Sequence, residues 1–176
     1  ESDGHGTILT TASCLLNENR NGKTTESEAE FVLREHLGAT RVLWLNHGHL
    51  DGDDTDGHID TLARLCDKNT IAYVACDRWR DKHYRALNEM EEELKAMRTA
   101  KGAPYALVPL PWPRACYDSG KQRLPATYAN FLIINGAVLV PTYDDSADAE
   151  ALEVIGACFP GREAIGKRPV VEAGLL

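Results

Sequence analysis

No run of apolar residues in this 176-residue sequence reaches the roughly 20 residues a helix needs to cross a bilayer. A membrane partner is therefore not expected. No basic start leads into an apolar stretch, so no secretory signal is read and a cytoplasmic location is the expectation. An excess of positive charge is missing too. Asp and Glu number 27 against 19 Lys and Arg, for a net charge of −8. Such a surface repels phosphate backbones, so no nucleic-acid partner is expected. A small cation would be drawn in, but only weakly by overall charge. Paired cysteine motifs are absent as well. Cys14, Cys66, Cys76, Cys116 and Cys158 are odd in number and no two form a CxxC. That argues against a disulfide framework or a structural zinc knot. The thiols read as free and mostly buried.

What is present is an ordinary globular balance, 43% hydrophobic and 26% charged, on a chain long enough for one domain with its own core. Periodicity separates three similar blocks. In the first, Thr7–Thr11 reads as a strand, and Thr25 with Glu28 forms a capping-box pattern. Ala29, Val32, Leu33 and Leu37 then share one helical face, Gly38 is a plausible stop, and Arg41–Leu45 reads as a strand. The second block opens with two extended runs, His58–Cys66 and Thr70–Cys76. Asp81 is placed to cap a helix whose face carries Tyr84, Leu87, Met90, Leu94 and Met97, and the strand Tyr105–Val108 follows. The third block has Tyr128–Ile134 and Ala137–Thr142 around Asn135-Gly136, a strong hairpin signal. Asp145 or Ser146 caps a helix with Ala149, Leu152, Ile155 and Phe159, and a short strand near Glu163–Ile165 closes the block. The expected order is strand–strand–helix–strand, repeated, with part of the first hairpin absent. Pro109 to Pro125 reads as a long connecting loop.

The densest chemical cluster runs from Asp51 to Asp60, reading DGDDTDGHID. A calcium loop does not fit, because the twelfth residue would be Leu62 and not a glutamate. Just upstream, His47-Gly48-His49-Leu50-Asp51 resembles the HxHxD start of metallo-β-lactamase-type hydrolases. A zinc hydrolase on His47 and His49 is thus one alternative, although Gly52 replaces that motif's last histidine. The reading preferred here concerns His58 and Asp60. Two apart on an extended run, they would leave on the same face, with Ile59 pointing into the core. An imidazole beside a carboxylate offers a proton carrier and an anionic clamp. A carboxylate also matches the planar fork of a guanidinium.

The string DDTDGHID resembles the motif of the agmatine deiminase family, within the peptidylarginine-deiminase-like, guanidine-modifying group. Further stretches agree in order. Asp3-Gly4-His5-Gly6-Thr7 with Leu15–Asn21 resembles DGxGT…LLNxNRN. Val42–Leu45 with His47-Gly48 resembles VIWLPHG. Leu124–Phe131 resembles LPASYxNF, and Asn135–Pro141 resembles NGAVIVP.

The resemblance implies an α/β fold of ββαβ repeats, a pentein five-bladed propeller of which about three blades are present. It implies a hydrolase that attacks a guanidinium carbon with a cysteine thiolate, through a covalent amidino intermediate, without metal or organic cofactor. Agmatine would give N-carbamoylputrescine and ammonia. Carried over by position, His58 would be the general acid/base, Asp60 would grip the guanidinium, and Asp54 would be an acidic residue near the substrate. The family's nucleophile lies in a GGxxHC-type stretch that none of the five cysteines matches. Residues 1–176 are therefore expected to be one partial domain, truncated at both ends and inactive alone. The partners expected are a small cationic guanidine and further copies of the chain. A catalytically incomplete, self-associating relative is the other alternative.

Overall fold

The structure, a computed structural model, describes residues 1–168. It consists of three units built on one plan. In the first, strand β1 (Thr7–Thr11) is followed by short helices α1 (Ala12–Leu15) and α2 (Glu18–Asn21), helix α3 (Glu26–Leu37) and strand β2 (Arg41–Leu45). β1 and β2 pair in parallel. On the other side of β1, Ser2 bridges Ile8 in antiparallel sense, where the other units carry a first strand. The second unit has β3 (Ala63–Leu65), β4 (Thr70–Val74), α4 (Tyr84–Ala96) and β5 (Ala106–Leu110). The third has β6 (Leu132–Ile134), β7 (Ala137–Pro141), α5 (Asp148–Cys158) and β8 (Glu163–Lys167). In both, the first pair is antiparallel and the second parallel. The repeat expected from the periodicity is therefore present, as an α/β fold with mixed sheets.

Local chemistry explains the boundaries. The Thr25–Glu28 capping box starts α3, and Gly38 ends it at φ 67°, in the left-handed region that glycine adopts without strain. Neither expected aspartate is itself a cap. Asp81 accepts from the His83 amide, and α4 begins one residue later. Asp145 accepts from the Ala147 amide, and α5 begins at Asp148. Two expected strands are shorter than their sequences suggest. In His58–Cys66, only Ala63–Leu65 pairs, and Ile59–Thr61 closes a 3₁₀ turn. There the Thr61 hydroxyl and amide both donate to the His58 carbonyl. In Tyr128–Ile134, the Ala129 amide turns onto the Thr127 hydroxyl and only Leu132–Ile134 is paired. Hydroxyl side chains have outcompeted the ladder in both places.

The core is continuous within and between units: α5 packs on β7 and β8 of its own unit, and helices also reach the unit before. α4 packs against β2 of the first unit, and α5 packs against β4 and β5 of the second. Leu87, Met90 and Leu94 of α4 are buried as expected. Two expected faces are met only in part: on α5 Ile155 and Phe159 are buried but Ala149 is exposed and Ala151 takes the core position, and on α3 only Ala29 is buried, while Val32 and Leu37 are 51% and 68% exposed. Ala29, Leu33 and Leu37 occupy the places that Ala151, Ile155 and Phe159 hold in α5, and Phe159 is 4% exposed. Local pattern made α3 amphipathic; its flank is simply uncovered.

A buried arginine ties the units together. Arg64 on β3 donates from Nε to Glu1 at 3.0 Å and from Nη1 to the carbonyls of Ala129, at 3.1 Å, and Phe131. Its guanidinium lies 4.4 Å over the Phe131 ring.

Candidate active site

The segment that leaves β2 and returns at β3 carries the acidic cluster, and several tethers shape it. The backbone amides of Asn46 and His47 both donate to the Glu93 carboxylate of α4, at 2.9 and 3.0 Å. Burial alone would raise the Glu93 carboxyl, but these hydrogen bonds hold it below the usual carboxylate range. The Asp51 amide donates to His83 Nε2 at 2.9 Å, and Asp51 also pairs with Lys82. Gly52 has φ +80°, and a Cβ there would overlap the Arg123 carbonyl oxygen. At the far end, the Thr11 hydroxyl donates to the Gly57 carbonyl at 2.6 Å. Gly57, at φ +78°, is in the left-handed region, and a Cβ there would displace Ser13 Oγ, 2.7 Å away. The two glycines allow close backbone approach at both ends of the loop.

His58 and Asp60 do come together, with Nδ1 3.9 Å from Oδ1 and side chains 38% and 44% exposed. They do so across the 3₁₀ turn and not along a strand, which corrects the geometry expected from their spacing. Ile59 between them is buried, as expected. At 3.9 Å the pair is within ion-pair reach but too long for a hydrogen bond.

Asp54 is exposed and lines a cleft of about 320 Å³ together with Asp53, Thr55 and Thr61. His58 and Asp60 are not in that lining. They adjoin it through Thr61, which belongs to the same turn. The third unit supplies the opposite wall, including Asn130, Tyr143 and Lys167. Asn130 belongs to the LPATYANF stretch, whereas Tyr143 and Lys167 carry no local sequence signal. Tyr143 is fixed by its hydroxyl, which donates to the Thr127 carbonyl at 2.8 Å. Its phenol is pushed up by burial.

The HxHxD segment takes a structural part. His47 Nδ1 lies 2.9 Å from Glu93 and His49 Nε2 lies 3.9 Å from Asp51, so the two imidazoles face different carboxylates. Among the described residues no three His, Cys, Asp or Glu side chains gather to hold a metal ion.

All five cysteines are free. Burial pushes the Cys14, Cys76 and Cys116 thiols up. Cys66 is raised mainly by a hydrogen bond with Cys158, then by burial. Cys14 lies behind the acidic loop, where Asp56, Asp53 and Asp60 also disfavour its thiolate. A raised thiol is a poor nucleophile near neutrality. Residues 169–176 lie outside the described residues. No helix among the described residues is long and apolar enough to cross a membrane.

The family model for the Porphyromonas-type peptidyl-arginine deiminase matches residues 1–172. An agmatine deiminase of Pseudomonas putida strain F1 is 34% identical over 180 residues, covering 93% of this chain and 49% of that protein. A Porphyromonas gingivalis structure assigned as an arginine deiminase superposes with a TM-score of 0.91 at 58% identity. The match covers 96% of this chain and 49% of that one. A Cys-to-Ser variant of C. jejuni agmatine deiminase with substrate bound superposes with a TM-score of 0.87 at 42% identity. It is covered over 48% of its length, and this chain over 96%. The chain thus spans about half the length of the curated relatives it matches.

Proposed function

We propose, from the premise that this chain belongs to the Porphyromonas-type peptidyl-arginine deiminase family, that it carries one part of a guanidine-hydrolysing active site. The three units are read as neighbouring blades of a five-bladed α/β propeller, with the 320 Å³ cleft opening toward its central channel. The observation that carries the reading is the facing His58–Asp60 pair at 3.9 Å, one turn from the cleft that Asp54 borders.

The chemistry assigned to these groups is concrete. A cysteine thiolate adds to the guanidinium carbon, and one C–N bond breaks as ammonia leaves. His58 gives that ammonia its proton and then takes one from the attacking water. The hydroxyl adds to the amidino carbon, the C–S bond breaks, and the ureido product departs with the thiolate restored. Asp60 and Asp54 hold the cation, bidentately where the fork allows. Agmatine is the substrate proposed, giving N-carbamoylputrescine, and the steps call for neither metal nor organic cofactor. None of the five cysteines has the family's GGxxHC-type context, so residues 1–176 alone are proposed to be inactive.

Calorimetric titration with agmatine tests the binding half. Asp60→Asn and Asp54→Asn are each expected to weaken binding about 10- to 100-fold, the worth of one charge-assisted hydrogen bond. Unchanged affinity in both variants would overturn the assignment. A ureido-specific colour assay tests the other half, and turnover by this chain alone would refute the missing-nucleophile argument.

A second reading rests on a separate observation. Phe31, Val32 and Leu37 on α3 are exposed, and so are Leu132 and Ile134 on β6. Apolar flanks on the first and last units favour association between copies, as in a self-associating relative without activity. Light scattering that finds a strict monomer at high concentration would count against it.

A further inference from the structure

We infer that His83 is a positioning residue for the loop that carries Asp54 and His58, acting through the hydrogen bond from the Asp51 amide to its Nε2, with Asp81 fixing its tautomer. The inference rests on the site reading above for its functional meaning, though its geometry stands independently. His83 is 3% exposed and immediately precedes α4. Its Nε2 accepts from the Asp51 amide at 2.9 Å, and its Nδ1 lies 2.8 Å from Asp81 Oδ1. A backbone N–H can only donate, so Nε2 must present its lone pair. Nδ1 must then carry the ring proton and donate it to the carboxylate. Only the neutral imidazole with hydrogen on Nδ1 satisfies both contacts.

Asp81 is itself immobilised. It accepts from Trp112 Nε1 at 3.0 Å and from Arg123 at 3.3 Å. Burial alone would raise its carboxyl, but these donors and His83 keep it far below the usual range. Trp112 also packs on the imidazole, with ring centroids 5.3 Å apart. Arg123 meets the loop a second time, because its carbonyl oxygen is the atom that Gly52 approaches. The dyad thus joins α4, the long connector after β5 and the acidic loop at one point. That point is three residues before Asp54 and seven before His58. The Thr11–Gly57 hydrogen bond holds the loop's other end, and His83 joins Glu93 and Arg123 in setting where its first half lies.

Burial first, and then the charged groups around it, set the protonation of the imidazole. Asp51, Asp81, Lys82 and Arg123 are close, and Arg114 and Cys116 line the same packed region. Burial lowers the His83 pKa, Arg123 and Lys82 add to that, and Asp81 opposes it. Protonation would place a second N–H against the Asp51 amide and break the tether.

Nitrogen-15 NMR on the whole chain tests this. The free protein is expected to show His83 with hydrogen on Nδ1 and a bare Nε2, and an Asp51 amide protected from exchange. His83→Phe keeps a ring against Trp112 but offers no acceptor. Asp51 exchange should then rise at least about tenfold, while the Met90 and Leu94 amides in α4 stay protected. His83→Gln retains an acceptor and should recover much of the protection. Agmatine affinity should fall and recover in parallel. A protected Asp51 amide in folded His83→Phe, or no difference between the two variants, overturns the inference. If His83→Phe does not fold, acid titration of the unaltered chain decides. Asp51 protection lost as His83 protonates supports the tether, and protection that persists refutes it. If agmatine binds none of the proteins, the functional reading fails, and exchange alone still judges His83.

Discussion

Arg64→Met removes the group through which all three units meet. The guanidinium is 10% exposed and its partner Glu1 14% exposed, at 3.0 Å. The substitution leaves that carboxylate without its buried partner, which typically costs about 3–5 kcal/mol. The Ala129 and Phe131 carbonyls lose their donor at the same time, and an unsatisfied buried acceptor costs about 1–3 kcal/mol. These terms overlap and do not add, because the backbone relaxes around the gap. Methionine also fills part of the space over the Phe131 ring, which limits the packing loss. The expected net loss is therefore about 3–5 kcal/mol. At roughly 2–4 °C per kcal/mol for a chain of this size, the melting temperature should fall by about 6–20 °C. Urea unfolding followed by tryptophan fluorescence measures it, with an unchanged slope as the sign that only stability moved. Glu1→Gln keeps an acceptor and should cost less. A loss below about 1 kcal/mol in Arg64→Met would refute the view that this buried charge joins the units.

Equivalent positions at the ends of two helices should differ sharply in cost. Phe159→Ala, at the C-terminal cap of α5, is expected to cost about 3–5 kcal/mol, since the ring is buried against Phe131 at 5.5 Å. Leu37→Ala on α3, 68% exposed, should stay within about 0.5 kcal/mol. Parallel urea curves check both, and similar losses would contradict the packing described. Asp145 predicts a pH effect. Burial would raise its carboxyl, but donors from Ala147 and Arg114 hold it down at about 2, against an ordinary 3.8. Its stabilisation is therefore complete above about pH 4 and is lost as pH falls through 3.8 toward 2. Asp145→Asn should flatten that part of an acid-unfolding curve, and an unaltered acid limb would refute the assignment.

Much of this architecture is written in local patterns. The capping box at Thr25 and Glu28, the Gly38 stop, the Asn135-Gly136 turn and the Leu87–Met90–Leu94 stripe all act within a few residues. Their outcome needs no distant partner, so element order and repeat were legible. The pairing of His58 with Asp60 was legible too, but for a different reason from the one the spacing suggested. The Thr61 hydroxyl folds that stretch into a turn, and a side-chain competitor of that kind leaves no trace in a two-residue alternation.

Tertiary structure alone decided the rest. Whether an amphipathic stripe is buried depends on what lies opposite, so α3 and α5 share a pattern yet differ in exposure. The cleft wall at Tyr143 and Lys167 stands 89 and 113 residues from Asp54 in sequence, and no periodicity reaches that far. His83 makes the same point. Its two nitrogens are assigned by a backbone amide 32 residues away and a carboxylate two residues away. The sequence by itself determined which groups exist and which local elements they form. The fold determined which of them face one another, because hydrogen bonds and burial act over a few ångströms of space whatever the distance along the chain.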